Sequence, residues 1–394
     1  MEKNAVAGNF RKICIIRAIR NGMFSISIII LFFAQNGVNL QDAIILQALF
    51  SVAAMAFEIP TGYFADNYGR KRSIVLGGVF STLGFSLYAV AHGFYGFLLA
   101  ETVLALGMSF VSGADSALLL DTEKEFLASG QGIALEGNSR GIGMLSEGFT
   151  SLIGGTILAT ISLRLPIYFD AAFSSLVILV ALTLKEPQKQ TIIKRESSLL
   201  TLWRVMRFSL HDHKEVKSFL WFSSVISAAT LNMVWFVQVY WALTGIPTPL
   251  FGLGWAGLLA FGALASYKAY AVEKWLKKKT CMLLMLVSAV IGYFFLGATA
   301  FVWSSIFIIP FYIARGLNEP IMRSYINLRI PEKDRATIFS IKNLIARLIF
   351  SIVGPIMGWV SEHFSLQTAL LVSGLTFGIL GMVSLAQLIK HRAV

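Results

Sequence analysis

Eight bases and a similar set of acids stand inside long apolar runs of this 394-residue chain, and they are where chemistry is to be sought. An ionised side chain there costs about 2.5–3.5 kcal/mol or more unless a partner, water or a function compensates it. The bases are Arg17, Arg20, Arg140, Lys268, Arg315, Arg323, Lys342 and Arg347. Glu147 lies about nine residues into its run, near 14 Å by helical rise, with Arg140 two turns below on the same face and Glu136 one turn further. Burial and a nearby guanidinium pull the protonation of such a carboxyl in opposite directions, so it can exchange a proton as its surroundings change. Glu58 and then Asp115 are the next candidates for that role. Arg17 and Arg20 share one helical face at the depth of Glu58, so an inner-gate pairing of Glu58 with either is expected. Asp115 and Asp121 are six residues apart and so about 120° apart around a helix, where they meet different neighbours.

A second group suits a cavity for a small molecule. Arg315, Asn318 and Glu319 sit close to mid-depth of a later run, with an Arg315–Glu319 bridge expected one turn apart, and Arg347 is comparably deep in the next. Asn232, Trp235, Gln238 and Tyr240 give another run a polar and aromatic outer half; packing is the equal alternative for Trp235 and Tyr240. Lys268, Arg323 and Lys342 are placed to snorkel to the interface. Enzyme chemistry finds no support. His92, His211, His213, His363 and His391 fall in loops or at run ends, without a zinc-type pair, a phosphate-cradling glycine loop or a nucleophile beside a base. Cys14 and Cys281 lie in apolar runs without metal-type spacing and read as small buried hydrophobes. No metal and no cofactor is expected.

The elements that position these residues follow from composition. With 56% hydrophobic and 14% charged residues, against roughly 45–50% and about 25% in soluble domains, the chain is an integral membrane protein. Twelve runs are long enough to span about 30 Å of hydrocarbon: 13–36, 41–65, 73–92, 95–119, 138–161, 164–184, 217–243, 249–272, 280–299, 302–326, 337–360 and 365–389. The first run is too long for a signal-peptide core and no small-residue cleavage site follows it, so it reads as the first span. Charge placement tests the division independently. Of 33 Lys and Arg, 24 fall at the two ends and in the even-numbered loops, eight lie in spans, and the odd-numbered loops hold Arg164 alone. That asymmetry puts both termini in the cytoplasm. The net charge of +12 is therefore an orientation signal and not a nucleic-acid surface. Trp221, Trp241, Trp255, Trp275, Trp303 and Trp359 fall near run ends, where an indole suits the interface.

A polar connection divides the runs six and six: residues 1–185 form one six-helix bundle, 186–216 a cytoplasmic linker, and 217–394 a second bundle. Within the linker Leu199, Leu200, Leu202, Trp203, Val205, Met206, Phe208 and Leu210 interleave with Arg204 and Arg207, as in a helix lying on a membrane surface. The fold class is all-α, with two pseudo-repeated bundles. Asp66, Arg70, Lys71 and Arg72 recur as Glu273, Lys277, Lys278 and Lys279, each 207 residues on, which supports duplicated halves.

Gly62, Asp66, Gly69, Arg70, Lys71 and Arg72 between the second and third runs resemble the signature of the major facilitator superfamily, as do the span number and the six-plus-six division. The parts have separate physical jobs: close helix approach at Gly62, a carboxylate facing a helix terminus at Asp66, the turn at Gly69, and loop orientation by the bases. The resemblance implies a latch from Asp66 to the eleventh helix, with Arg335 as the local partner. The longer string Glu58-Ile59-Pro60-Thr61-Gly62 is similar to a bacterial subgroup of mostly poorly characterised exporters. Two departures stand against the family's drug–proton antiporters. Val103, ahead of Gly107, occupies the place of an arginine, and the motif of the fifth helix survives as Thr150-Ser151-Leu152-Ile153-Gly154-Gly155. The resemblance implies a monomeric secondary carrier of the bacterial inner membrane, driven by the proton gradient. Its substrate would be a small amphipathic or anionic, drug-like or siderophore-like metabolite, exported across the lipid bilayer. Uptake of a nutrient with a proton is the alternative, and a sensor or scaffold without transport the third.

Overall fold

The computed structural model describes residues 2–126, 132–186, 204, 206–331 and 334–391, and its regular elements are all helices. The chain forms two compact units, Met1–Gln190 with Ile246–Gly257, and Thr191–Gly245 with Leu258–Val394. The first contains α1 (Glu2–Asn21), α2 (Ile29–Gln35), α3 (Leu40–Tyr68), α4 (Arg70–Val90), α5 (Gly93–Phe126), α6 (Gly132–Ile153) and α7 (Leu165–Leu182). The second contains α8 (Lys214–Leu243), most of α9 (Pro249–Leu276), α10 (Lys278–Ala298), α11 (Ile309–Asn327), α12 (Arg335–His363) and α13 (Leu366–Lys390). Each has its own apolar core, around Ile13, Ile16, Ile74, Val111 and Val177 in the first and around Phe219, Phe222, Met282, Met285 and Ile338 in the second. Cys14 and Cys281 are both buried and unlinked. Most of the expected amphipathic linker helix lies outside the described residues.

Ten of these helices are long and apolar enough to cross a membrane, where twelve apolar runs were expected. The shortfall has a physical cause. α11 carries Arg315, Glu319 and Arg323 within its 19 residues, and α1 carries Arg11, Lys12, Arg17 and Arg20. The first apolar run is also not one helix. α1 stops at Asn21, followed by Gly22, and α2 begins only at Ile29. Peptide groups freed by such a break cannot turn to water inside a membrane. Asp170 of α7, itself buried, takes two of them: Phe24 N at 2.6 Å and Ser25 N at 3.1 Å donate to its two carboxylate oxygens.

α6 shows a related irregularity, a π-helical turn over Gly154–Leu158 before the helix resumes to Ile161. Its glycines admit backbones that a side chain would exclude. A Cβ on Gly154 would lie 1.8 Å from the Phe24 carbonyl oxygen, and one on Gly155 would lie 2.7 Å from the Gly252 Cα. The broken stretch after α1 and the start of α9 thus both seat against the altered turn. At the other end of α7, Arg164 donates to the Ala89 carbonyl at 2.8 Å and to the Asn36 side chain, and lies 5.6 Å from the centre of the Phe32 ring. The single base of the odd-numbered loops therefore ties three helix ends together.

The repeated acid-and-base segments can be compared in backbone terms. Gly69 caps α4 with φ +104° and ψ 145°, and Lys277 caps α10 with φ +61° and ψ 160°. The amide of each donates four residues back, Gly69 to Ala65 and Lys277 to Glu273. The structural offset is therefore 277 minus 69, or 208, one residue from the offset read off the acids and bases. Lysine has a Cβ that opposes this conformation, and such strain costs of order 1–3 kcal/mol. Lys277→Gly is expected to raise stability by about 1 kcal/mol and Gly69→Ala to lower it by a similar amount. Thermal melting in detergent, with both variants beside the parent, checks the pair; a Lys277→Gly protein that melts lower than the parent contradicts it.

Candidate functional site

α1 carries Arg17 and Arg20 on one face, and the carboxylate they reach is Asp115 of α5. Arg17 Nε lies 3.0 Å and Arg20 Nη1 3.3 Å from Asp115 Oδ2, with the Arg17 and Asp115 side chains only 3% and 1% exposed. Arg17 also donates to the hydroxyls of Ser139, at 2.5 Å, and Ser116, at 2.9 Å. The expected Glu58 pairing is replaced: Glu58 is exposed on α3 and pairs with neither arginine among the described residues. Depth alone matched Glu58 to α1, whereas the packing of α1 on α5 decides the partner. Charge pairs this well enclosed need every hydrogen bond they make, since losing one partner leaves an uncompensated ion in a low-dielectric interior. The side chains of Asp121, Glu136 and Arg140 lie outside the described residues, so the expected Arg140–Glu147 pairing does too.

Glu147 is half-buried on α6, one turn before Ser151 and two before Gly154 and Gly155. The indole N–H of Trp255 donates to its Oε1 at 3.4 Å. Trp255 is 2% exposed, so it is not the interfacial residue that its place near a run end suggested. What brings it there is Gly252, one turn earlier on α9: a Cβ on that glycine would lie 2.5 Å from the Ser151 carbonyl. The remnant of the fifth-helix motif is thus the seat of the α9 start, with Glu147 at its edge.

In the second unit Glu319 bonds Lys342 of α12 and Arg323 of its own helix, the latter at 3.2 Å. The expected Arg315–Glu319 bridge is absent among the described residues; Arg315 is exposed, and Arg347 is half-buried on α12. Lys342 does not snorkel, since its side chain is 3% exposed. The polar residues of α8 also turn out differently from a cavity lining. Asn232 is fully buried and donates to Tyr293 Oη at 3.2 Å and Ser373 Oγ at 3.4 Å, while Tyr240 Oη donates to the Thr299 carbonyl at 2.8 Å. Gln238 is fully buried, and Trp235 is half-buried with an indole nitrogen that meets no partner among the described residues. Asn318 likewise faces inward, donating to the Ser223 carbonyl at 3.1 Å and Ser227 Oγ at 3.0 Å. A helical period identifies the polar face of a segment but not which neighbour covers it.

Around the signature loop, a Cβ on Gly62 would meet nothing within 4 Å, so close helix approach does not account for that glycine here. Asp66 and Arg72 are exposed, and Arg335 donates to the Asn327 carbonyl at 3.4 Å. Arg70 donates to the Ala117 carbonyl at 2.6 Å. The acid that serves the loop is Glu186, which follows α7: its carboxylate accepts from the Arg70 backbone N–H and, at 3.4 Å, from that of Lys71, the first free amides of α4. That position offsets three bases crowded at a positive helix end. Sequence reasoning passed over Glu186, and over Glu101 and Asp170, the buried acids of α5 and α7. Their signal was there, each a lone acid in an otherwise apolar run.

Comparison with known proteins follows this geometry. The sequence profile of the Major Facilitator Superfamily matches residues 13–317. An uncharacterized transporter of Buchnera aphidicola subsp. Acyrthosiphon pisum (strain APS) is 24% identical over 302 residues, 74% of each chain. Among solved structures, a variant of the nucleoside transporter NupG superposes with a TM-score of 0.79 at 14% identity, covering 96% of this chain and 99% of that one. A bacterial homolog of the human lysosomal transporter Spinster, inward-facing and unoccupied, gives 0.74 at 15% identity over 99% and 97%. A POT family transporter in complex with 5-aminolevulinic acid gives 0.74 at 12% identity over 98% and 96%. With the family profile matched over most of its length and the fold of solved transporters shared almost end to end, this chain belongs to the Major Facilitator Superfamily and is a multi-pass membrane transporter, not an enzyme.

Proposed function

We propose that the chain is a twelve-span carrier of the bacterial cytoplasmic membrane, both termini cytoplasmic, that works by alternating access and exchanges protons for a small amphipathic or anionic metabolite, which it exports. The observation that carries the proton role is the setting of Glu147: a half-buried carboxylate on a helix with a π turn, reached by the indole of the buried Trp255. A weak neutral donor that can be gained or lost suits a group whose protonation must change during a cycle, and π turns recur at functional positions in helices. An anionic substrate is favoured by Arg315, exposed, and Arg347, half-buried, which have no carboxylate partner among the described residues. Export rests on the similarity of Glu58-Ile59-Pro60-Thr61-Gly62 to the exporter subgroup. The NupG and POT structures are of transporters for a nucleoside and for peptides or 5-aminolevulinic acid, small polar molecules of the size this reading needs.

Proteoliposomes with an imposed pH gradient and a panel of small anions test the reading. Gradient-driven flux is expected in the parent, directed against the proton flow, and Glu147→Gln is expected to reduce it to the level of protein-free liposomes. Undiminished, still gradient-dependent flux in Glu147→Gln removes the proton role from that residue, and flux along the proton flow makes the protein an uptake carrier. The Arg17–Arg20–Asp115 cluster is assigned a structural part in this scheme. Asp115→Asn should cost about 3–5 kcal/mol of stability by leaving buried guanidinium groups unpaired. Neutralising all three residues together should recover most of the loss in detergent melting experiments. A single Asp115→Asn variant as stable as the parent would show that the cluster is not a keystone.

A further inference from the structure

α5 carries two buried carboxyl groups, and the one not yet given a part is Glu101. It lies eight residues after the start of α5, about 12 Å along the axis, and is 2% exposed. Gln47 Nε2 of α3 and Tyr88 Oη of α4 both donate to it, and both converge on one oxygen, Oε1. An apolar wall closes the site: the Phe33 and Phe97 rings pack 4.9 Å apart, and Phe97 lies 5.5 Å from Tyr88. The elements around it bring no base. α3 offers Gln47 at this level, with Asp42 more than a turn to one side and Glu58 about three turns to the other. α4 offers Tyr88, while its bases Arg70, Lys71 and Arg72 stand at the opposite end of the helix. α2 has no titratable residue, and α1 commits Arg17 and Arg20 to Asp115, 14 residues further along α5. α6 carries Glu147, which meets Trp255, and Glu136 and Arg140, whose side chains lie outside the described residues. Arg164, the base of this end of the unit, is engaged with the Ala89 carbonyl and Asn36.

A carboxylate enclosed in this way, with two neutral donors and no cation, is costly in a membrane interior, whereas the neutral acid satisfies the same contacts. Its carbonyl oxygen accepts from Gln47 and Tyr88, and the second oxygen carries the hydrogen. We propose that Glu101 is a second proton-binding site of this protein, distinct from Glu147. Its ligand is the proton delivered by water: the carboxylate takes up one proton to become the acid and returns the same proton on release, with no other bond made or broken. The inference deepens the proton-exchange reading and depends on that reading only for its place in a transport cycle.

The test uses the full-length protein in lipid, the proton as the only ligand, and pH-jump difference infrared spectroscopy, which resolves the carboxylic C=O stretch. The parent should show a titrating C=O band that is lost in Glu101→Gln and kept in Glu147→Gln. Tyr88→Phe and Gln47→Leu should each keep the band but move it to higher wavenumber, because the carbonyl accepts one hydrogen bond fewer. A packing role alone would leave no such signature. A Glu101→Gln spectrum that superimposes on the parent overturns the proposal. Should that variant not fold, an unmoved band in Tyr88→Phe overturns it equally. Because no substrate is present, this result and the fate of gradient-driven flux in Glu147→Gln are decided separately.

Discussion

Inside hydrocarbon a peptide group or a charge has no water to turn to, and the architecture of this chain follows from that single restriction. Where the backbone departs from helix, a side chain takes the place of the missing ladder. Asp170 receives the amides exposed by the break after α1, Glu186 receives those at the head of α4, and Arg164 receives the Ala89 carbonyl near the end of α4. Charges obey the same rule in pairs and triplets, Asp115 between two arginines in one unit and Glu319 between Lys342 and Arg323 in the other. In each unit a carboxylate is clasped by two cations, although the helices that supply the cations differ.

Along α5 the same residue class is placed in two opposite surroundings. Asp115 is enclosed by guanidinium groups and hydroxyls, which fix it as an anion and make it part of the packing. Glu101 is enclosed by an amide, a phenol and aromatic rings. A single helix therefore holds one acid as a fixed charge and another in a site suited to the neutral form, about 21 Å apart along its axis. Environment, and not residue type, divides structural acids from exchangeable ones.

How much of this could be read in advance depends on what a period in sequence encodes. Apolar runs of span length are visible to hydropathy, and the all-helical membrane fold and superfamily resemblance were legible from them and from the loop between α3 and α4. The count was less secure, because α1 and α11 carry the charges that function requires and so fall short as apolar helices. Partners were the least legible. Arg17 could be placed at a depth and on a face, which fits Glu58 as well as Asp115, and only the packing of α1 on α5 chooses. Lys342 looked free to reach the interface until α12 was set against α11, and Asn232 and Tyr240 looked like a lining until α10 and α13 covered them. The duplicated segment was visible, yet one residue out of register, because charges can slide along a loop while the cap residue with positive φ cannot.

The π turn of α6 has a genetic counterpart. A π turn contains one residue more than the α-helix it interrupts, so Gly154–Leu158 is a stretch carrying an inserted amino acid that was kept. Each residue of an α-helix accounts for about 100° of rotation, so losing one there would swing everything after it to a new side relative to Glu147. In the lineage of this chain, insertions and deletions in those five positions would re-aim half of a helix, whereas the same events in the surrounding loops would leave the helices as they are.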